Sequence, residues 1–310
     1  MLITKLLIFA AGMFAIVKGA DWFTDAAIWI AKKTGIPKVI IGATIVSLAT
    51  TLPEFAVSVF ASFSGHPEMA LGNAIGSNIF NIGLVLGVTL LIASFDTDPK
   101  TVTKKAFFMI GAGALTVITS LDGTITGIDG FLLLLVLAGY ITFLVRHSKK
   151  HKTTGDVEVP GTKGGAATKF IVGSILVVAG SRIVVDTGIW LAEYFKVPEI
   201  FIALTLVALG TSLPELVTSL TATLKGHQEL SLGNIIGANL LNLGWVVSIS
   251  SIVNPIEISR KNLTLDFPFM MALMGLLLIF SLTKKRLSKM EGGALTIVYI
   301  AYITILFTSL

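Results

Sequence analysis

The chain contains no cysteine, and only 13% of its 310 residues carry charge. The missing cysteines exclude disulfides and thiolate metal sites. So little charge excludes a soluble domain of this length, which would need more of it to cover its surface. No stretch is left over that would form a soluble domain with a cleft. The formal net charge of +5 raises the question of a nucleic-acid partner, which the placement of the basic residues answers below.

What the chain has is apolar length, with 54% of its residues hydrophobic. Stretches of about twenty apolar residues, enough for an α-helix to cross the hydrocarbon core of a bilayer, recur from end to end. Ten spans are expected, at 2–31, 39–63, 69–93, 104–121, 127–146, 168–195, 199–224, 229–251, 265–283 and 292–309. The fold class is therefore an all-α polytopic membrane protein. Residues 1–20 have the outline of a secretory signal, but the matching segment at 170–181 stands mid-chain, so the first is read as a retained span. The longest non-apolar stretch, rich in Lys, Thr and Gly, sets the organisation: a first repeat over 1–146, a linker over 147–167 and a second repeat over 168–310.

The halves are copies. Residues 41–83 align without a gap onto 202–244 at an offset of 161, with 21 of 43 positions identical. The same offset pairs Gly19, Asp25, Trp29 and Pro37 with Gly180, Asp186, Trp190 and Pro198. Five spans per half is an odd number, so the second half enters the membrane from the opposite side, as an inverted-topology repeat. Of the Lys and Arg residues, 17 fall on the side holding the linker, four on the other, and only Lys18 and Arg182 inside spans. The positive-inside rule then places the linker in the cytoplasm and both termini outside a plasma membrane. This bias accounts for the excess positive charge, and no nucleic acid or obligate protein partner is implied beyond the lipid bilayer.

Each copy carries an acid directly after a proline, in Thr50-Thr51-Leu52-Pro53-Glu54 and Thr211-Ser212-Leu213-Pro214-Glu215. A carboxylate within a span costs about 3 kcal/mol or more and marks a functional site by default. Proline lacks an N–H and clashes with the carbonyl four residues back, so the helix is expected to kink or break there. The freed carbonyls, the threonine hydroxyls and the glutamate make an oxygen-rich corner of the kind a hard cation prefers. Two such carboxylates repel each other unless protonated or neutralised by a cation. A divalent ion neutralises both, and monovalent ions or protons compete for the same oxygens, which gives antiport.

About twenty residues further on, each copy has a Gly-Asn run: Gly72-Asn73, Gly76, Ser77, Asn78 and Asn81 in the first, Gly233-Asn234, Gly237, Ala238, Asn239 and Asn242 in the second. The glycines form small-x-x-x-small patterns that let helices approach closely. Asn81 and Asn242 lie one turn beyond Ser77 and Ala238 on the same face, where their side-chain carbonyls can line a cation site; Asn73 and Asn234 are weaker candidates. His66 and His227 recur in short turns and read as solvated. Asp25 and Asp186 read as structural hydrogen-bonders.

The doubled Thr-x-Leu-Pro-Glu and Gly-Asn-x-x-Gly-x-Asn motifs resemble the α-repeats of the calcium/cation antiporter superfamily, its prokaryotic sodium/calcium exchanger branch above all. The resemblance implies Ca²⁺ held by Glu54, Glu215, Thr50 and Thr211. It implies monovalent sites beside it that involve Ser47, Ser77, Asn81, Ala208, Thr211 and Asn242, with the motif residues Thr51 and Ser212 completing the candidate set. It also implies that spans one and six slide as a pair against the other eight. No cofactor is expected, only the transported Ca²⁺ and Na⁺ or H⁺. The chain departs from the pattern at Ala238, where the family usually has serine, and at Asn242, where some members have aspartate. Loss of the hydroxyl favours H⁺ as counter-ion; the absence of a further acid at Gly76 and Gly237 favours Na⁺, which is the reading preferred here. A cation channel is the alternative from another class, but inverted repeats suit alternating access. An enzyme is not expected, since no span holds a histidine or cysteine.

The orientation is checked by labelling. A tag placed after Leu310 is expected to react with an impermeant reagent from outside, while a cysteine placed at Lys152 is shielded in intact cells. The reverse pattern inverts the topology.

Overall fold

The computed structural model describes residues 2–96, 99–150, 161–196, 210–283 and 286–308. The first half comprises α1 (Leu2–Thr34), α2 (Lys38–Phe63), α3 (Pro67–Ile92), α4 (Pro99–Thr119) and α5 (Gly127–Lys150). The second half follows with α6 (Lys163–Tyr194), α7 (Leu213–Leu224), α8 (Gln228–Val253), α9 (Asn262–Leu282) and α10 (Lys289–Thr308). Among the described residues nine helices are long and apolar enough to cross a membrane. The tenth expected span, 199–224, is represented by α7; its beginning, with Ala208, lies outside the described residues. The linker expected over 147–167 is entered by helix from both ends, for α5 continues to Lys150 and α6 starts at Lys163. There Thr162 caps α6, its hydroxyl accepting the Gly165 N–H at 3.1 Å. The protein is an all-α polytopic membrane protein built from two five-helix repeats.

Four two-residue strands reveal the inversion. β1 (Phe95–Asp96) lies between α3 and α4, β2 (Thr124–Ile125) between α4 and α5, β3 (Ile256–Glu257) between α8 and α9, and β4 (Arg286–Leu287) between α9 and α10. β1 pairs antiparallel with β4 and β2 with β3. Yet β3 is the counterpart of β1 at the offset of 161, and β4 begins one residue beyond the counterpart of β2. Since α4 separates β1 from β2, equivalent loops of the two halves lie at opposite ends of the bundle. Each turn that joins a glutamate-bearing helix to its asparagine-bearing neighbour is also repeated. Gly65 and Gly226 adopt φ of +87° and +75°, a conformation that favours glycine. The following histidine N–H then caps the helix, His66 onto Ala61 O at 2.9 Å and His227 onto Ala222 O at 2.8 Å.

Small residues set the closest helix contacts. α1 and α6 touch at two glycine pairs, Gly12 with Gly180 and Gly19 with Gly173, which the offset exchanges. A Cβ built on Gly19 would stand 2.8 Å from Gly173 O, and one on Gly173 2.8 Å from Gly19 O. Gly233 of α8 faces Val39 O of α2, and a Cβ on Gly237 would lie 2.7 Å from Ala43 Cα. The close-approach reading of these two glycines therefore holds. The main apolar core runs through α2–α5 and α8–α10, among them Ile79, Ile82, Leu133, Leu240, Leu243 and Met270.

Three expectations need correction. Pro53 lies inside an unbroken helix over Ser47–Phe63, whereas Pro214 falls in the first turn of α7, just after a turn at Thr211 and Ser212. Only the second half breaks, because there the proline sits where the missing N–H belongs to a helix end. Lys18 and Arg182 are not the only basic residues in spans. Lys105 lies in α4, fully buried, its Nζ donating to Val39 O at 3.2 Å. α4 begins earlier than its hydropathy indicates, which draws Lys105 into the bundle. His227 is only half-exposed and sits 3.0 Å from Lys38 Nζ. Burial, then Lys38, Lys32 and Lys225, push its pKa below the usual histidine value.

At the same end of the bundle Lys225, in the α7–α8 turn, reaches α1. Its Nζ lies 2.6 Å from both Asp21 Oδ1 and Asp25 Oδ1. Partial burial works against the charge, but these hydrogen bonds and the two acids outweigh it and raise the Lys225 pKa. The pair is therefore fully formed at neutral pH and weakens as pH climbs through that raised value or falls far enough to protonate Asp21.

Close packing of α1 on α6 is tested by Gly19→Ala and Gly173→Ala. Each is expected to cost about 1–3 kcal/mol through overpacking against backbone, read as a lower melting temperature in detergent. Gly139→Ala, where Phe108 stands at 3.8 Å, is expected to be neutral or stabilising by up to about 1 kcal/mol.

Candidate functional site

The two motif glutamates meet across the repeat boundary. Glu54 on α2 and Glu215 on α7 are each at most 1% exposed. Their contacts cross between halves and obey the offset. Glu54 Oε1 accepts from Ser212 Oγ at 3.2 Å, and Glu215 Oε1 accepts from Thr51 Oγ1 at 3.3 Å. Thr51 and Ser212 thus hold the opposite half's carboxylate. The threonines before them are held the same way. Thr50 Oγ1 donates to Asn234 Oδ1 at 3.3 Å, and Thr211 Oγ1 donates to Asn73 Oδ1 at 3.0 Å. Asn73 Nδ2 donates to Ser58 Oγ and Asn234 Nδ2 to Ser219 Oγ, at 3.0 and 3.1 Å. Asn73 and Asn234 therefore clamp each glutamate helix to the neighbour that follows it and to the motif of the other half.

Asn81 and Asn242 open two π-turns, Asn81–Leu86 in α3 and Asn242–Val247 in α8. Such turns insert one residue into a helix, re-aim the side chains beside it and are frequent at functional sites. The first packs on the helix that carries Glu215, the second on the helix that carries Glu54. Phe55 of α2 stacks on Trp245 within the second turn, ring centroids 3.9 Å apart. Ser77 Oγ lies 2.8 Å from Ser212 Oγ, and Ser47 Oγ donates to Thr44 O at 3.1 Å. Ala238, the counterpart of Ser77, is fully buried and offers no hydroxyl. The sequence-predicted ligands thus lie together on α2, α3, α7, α8 and the turn before α7, apart from Ala208, and all but Thr211 and Asn73 are buried. A Cβ built on Gly72 or Gly76 meets nothing within 4 Å among the described residues, so the close approach expected at these two glycines is not seen there.

Four oxygens in this cluster are buried without a hydrogen-bond partner among the described residues: Glu54 Oε2, Glu215 Oε2, Asn81 Oδ1 and Asn242 Oδ1. They form two offset-related pairs, and all are acceptors. Buried polar atoms nearly always find a partner, so each exception calls for a reason. Four acceptors, two of them on carboxylates, make a donor set for a hard cation rather than for a hydrogen-bonding ligand.

The sequence reading passed over Asn78 and Asn239, whose Oδ1 atoms accept from Asn242 Nδ2 and Asn81 Nδ2 at 3.0 and 3.1 Å. It also passed over Met109 and Met270, the thioethers those two asparagines face. All four obey the offset of 161, which is the signal that would have found them. Glu229, His66 and Glu68 take no part.

Comparisons with known proteins identify relatives of this chain. The model of a family described as sodium/calcium exchanger protein matches residues 4–146 and 166–308. Inner membrane protein YrbG of Escherichia coli is 33% identical, covering 94% of this chain and 91% of its own. The putative antiporter CaxA of Alkalimonas amylolytica is 35% identical over 96% and 97%. The sodium/calcium exchanger MaX1 of Methanosarcina acetivorans is 28% identical over 99% of each chain. Among solved structures, the sodium-calcium exchanger NCX_Mj soaked with Na⁺ and Sr²⁺ aligns with a TM-score of 0.86 at 30% identity, over 98% of this chain and 99% of that one.

Substitution separates ligands from scaffold. Glu54→Gln and Glu215→Gln are each expected to reduce Ca²⁺ transport by purified protein in vesicles to background, since a divalent ion needs both charges to offset its dehydration. Asn81→Ala and Asn242→Ala are expected to weaken apparent Ca²⁺ affinity by about tenfold while the protein still elutes as a folded species. Normal uptake by Glu54→Gln rejects the assignment, and parental affinity in both alanine variants leaves the amides structural.

Proposed function

This chain belongs to the sodium/calcium exchanger family, and we propose that it is a secondary active transporter exporting Ca²⁺ across the plasma membrane in exchange for a monovalent cation, Na⁺ before H⁺. One observation carries the reading: the four buried acceptor oxygens of Glu54, Glu215, Asn81 and Asn242 that lack a partner among the described residues. The two carboxylates match the charge of one Ca²⁺, and monovalent cations compete for the same oxygens. Because ion and counter-ion share one set of ligands, occupancy by one excludes the other, and transport is exchange.

Alternating access follows from the α1–α6 pair. Phe23 of α1 with Ser174, Val177 and Val178 of α6 faces Ala49, Thr50, Pro214 and Thr218 across a narrow seam that has no room for a water molecule. A shift of that pair along its glycine contact opens or covers the threonines of the site. The remaining helices, packed through the main core, stay fixed.

Na⁺ is favoured as counter-ion because the donor set includes two amide carbonyls. These do not titrate, so a proton gains nothing from them, whereas a stripped Na⁺ needs oxygens. The observation that favours H⁺ is Ala238, which removes a hydroxyl that the first half keeps at Ser77.

The test uses Ca²⁺-loaded vesicles under an inward Na⁺ gradient or, separately, an inward H⁺ gradient. Na⁺-driven efflux is expected, with Ala238→Ser increasing apparent Na⁺ affinity. Protons compete for Glu54 and Glu215, so Ca²⁺ affinity is expected to fall as pH falls, with the pair titrating as a coupled unit. Efflux driven by H⁺ alone overturns the choice of Na⁺. Flux that ignores both gradients describes a channel, and no Ca²⁺ flux at all rejects the proposal.

A further inference from the structure

We propose that Met109 and Met270 are positioning residues that set which end of the Asn81 and Asn242 amides faces the cation. The inference rests on the reading of those two amides as cation ligands. Two relays carry it. In one, Asn242 Nδ2 donates to Asn78 Oδ1 at 3.0 Å, and Asn78 Nδ2 faces Met270 Sδ at 3.9 Å. In the other, Asn81 Nδ2 donates to Asn239 Oδ1 at 3.1 Å, and Asn239 Nδ2 faces Met109 Sδ at 3.7 Å. All six side chains are at most 1% exposed. Every member of one relay maps onto the other at the offset of 161.

A primary amide has nearly the same shape after a half-turn about its last bond, but opposite polarity. Turned one way, Asn242 offers a cation a carbonyl oxygen. Turned the other, it offers two N–H groups, and the dipole opposes the ion. Burial alone does not choose between these states, so something must. Asn78 chooses for Asn242, because its carbonyl requires a donor opposite. What chooses for Asn78 is the sulfur, since a thioether accepts weakly and has no hydrogen to donate. If Asn78 turned over, its oxygen would face the lone pairs of Met270 and its N–H would face that of Asn242. Each methionine therefore fixes, through one asparagine, the orientation of a second asparagine on the ligand set. The relay also crosses halves, from Met270 on α9 to Asn78 on α3 and back to Asn242 on α8. A purely apolar side chain of the same size at 109 or 270 would fill the core equally well but leave the amides undirected.

The experiment is Ca²⁺ transport by the full chain in vesicles, with apparent Ca²⁺ affinity and maximal rate measured separately. Met270→Leu conserves bulk and removes the acceptor. It is expected to weaken Ca²⁺ affinity about fivefold, the worth of one neutral hydrogen bond, with maximal rate and melting temperature close to the parent. Combined with Asn242→Ala, Met270→Leu is expected to add no further loss. Combined with Asn81→Ala, it is expected to add its full fivefold. Met109→Leu is the independent second variant, with Asn81 and Asn242 exchanging parts. Parental affinity in both leucine variants overturns the proposal, as does an equal added loss in both alanine backgrounds, which describes packing. If the parent chain itself moves no Ca²⁺, it is the proposed function that fails, so the two failures are distinguishable.

Discussion

Two carboxylates buried among membrane-spanning helices are the constraint on which the rest of this structure depends. Removing charge from water is costly, and Glu54 and Glu215 bring two acids into one cluster. Each carboxylate is gripped through one oxygen only, by a hydroxyl from the opposite repeat. The other oxygen is left without a protein partner among the described residues. Protein donors at those last positions would satisfy the acids fully, and among the described residues there are none. The helix-to-helix clamps at Asn73 and Asn234, the π-turns and the glycine contacts all serve this balance. They hold the oxygens in place without saturating them.

Much of this was legible in the sequence. The Thr-x-Leu-Pro-Glu motif could be located because a buried acid repeated at one offset is costly by chance alone, and the structure brings both copies together. Helix positions followed from hydropathy, since a span must be long and apolar. What hydropathy misses is the polar residue that burial hides. Lys105, at the start of the expected span 104–121, was counted by its charge among the basic residues of the cytoplasmic side, yet it is buried within α4. Pro53 and Pro214 read alike, yet one lies within a helix and the other starts one. The difference lies in what precedes each, and that is not encoded in the proline. Asn78 and Asn239 lay in plain view within the Gly-Asn runs, but their role depends on methionines 192 and 130 residues away on another helix. Only the fold makes that pairing.

The two-fold relation is more informative where it fails. Nearly every contact of the cluster has a mate at the offset, so each unmatched contact marks a place where the halves have been free to differ. The Ser77–Ser212 contact has no mate because Ala238 lacks the hydroxyl. The Phe55–Trp245 stack has none because Leu216 and Leu84 stand in the corresponding places. Differences of this kind make the ligand cluster lopsided, although its glutamates, threonines and asparagines are symmetric.

The contact of Lys225 with Asp21 and Asp25 belongs to the same class and has the widest reach. At the positions the offset pairs with these stand Ser64, Arg182 and Asp186, and there the only ion pair among the described residues is an exposed one within α6, Arg182 to Asp186 at 3.8 Å. In a chain of two identical inverted halves, the shape open to one side and the shape open to the other would be mirror accounts of the same energy, and the carrier would spend equal time in each. A bond made at one end only removes that degeneracy. The Lys225 contact ties α1 to the α7–α8 turn at a single end of the bundle, so the symmetry of the repeats does not make the two ends of the α1–α6 pair equivalent.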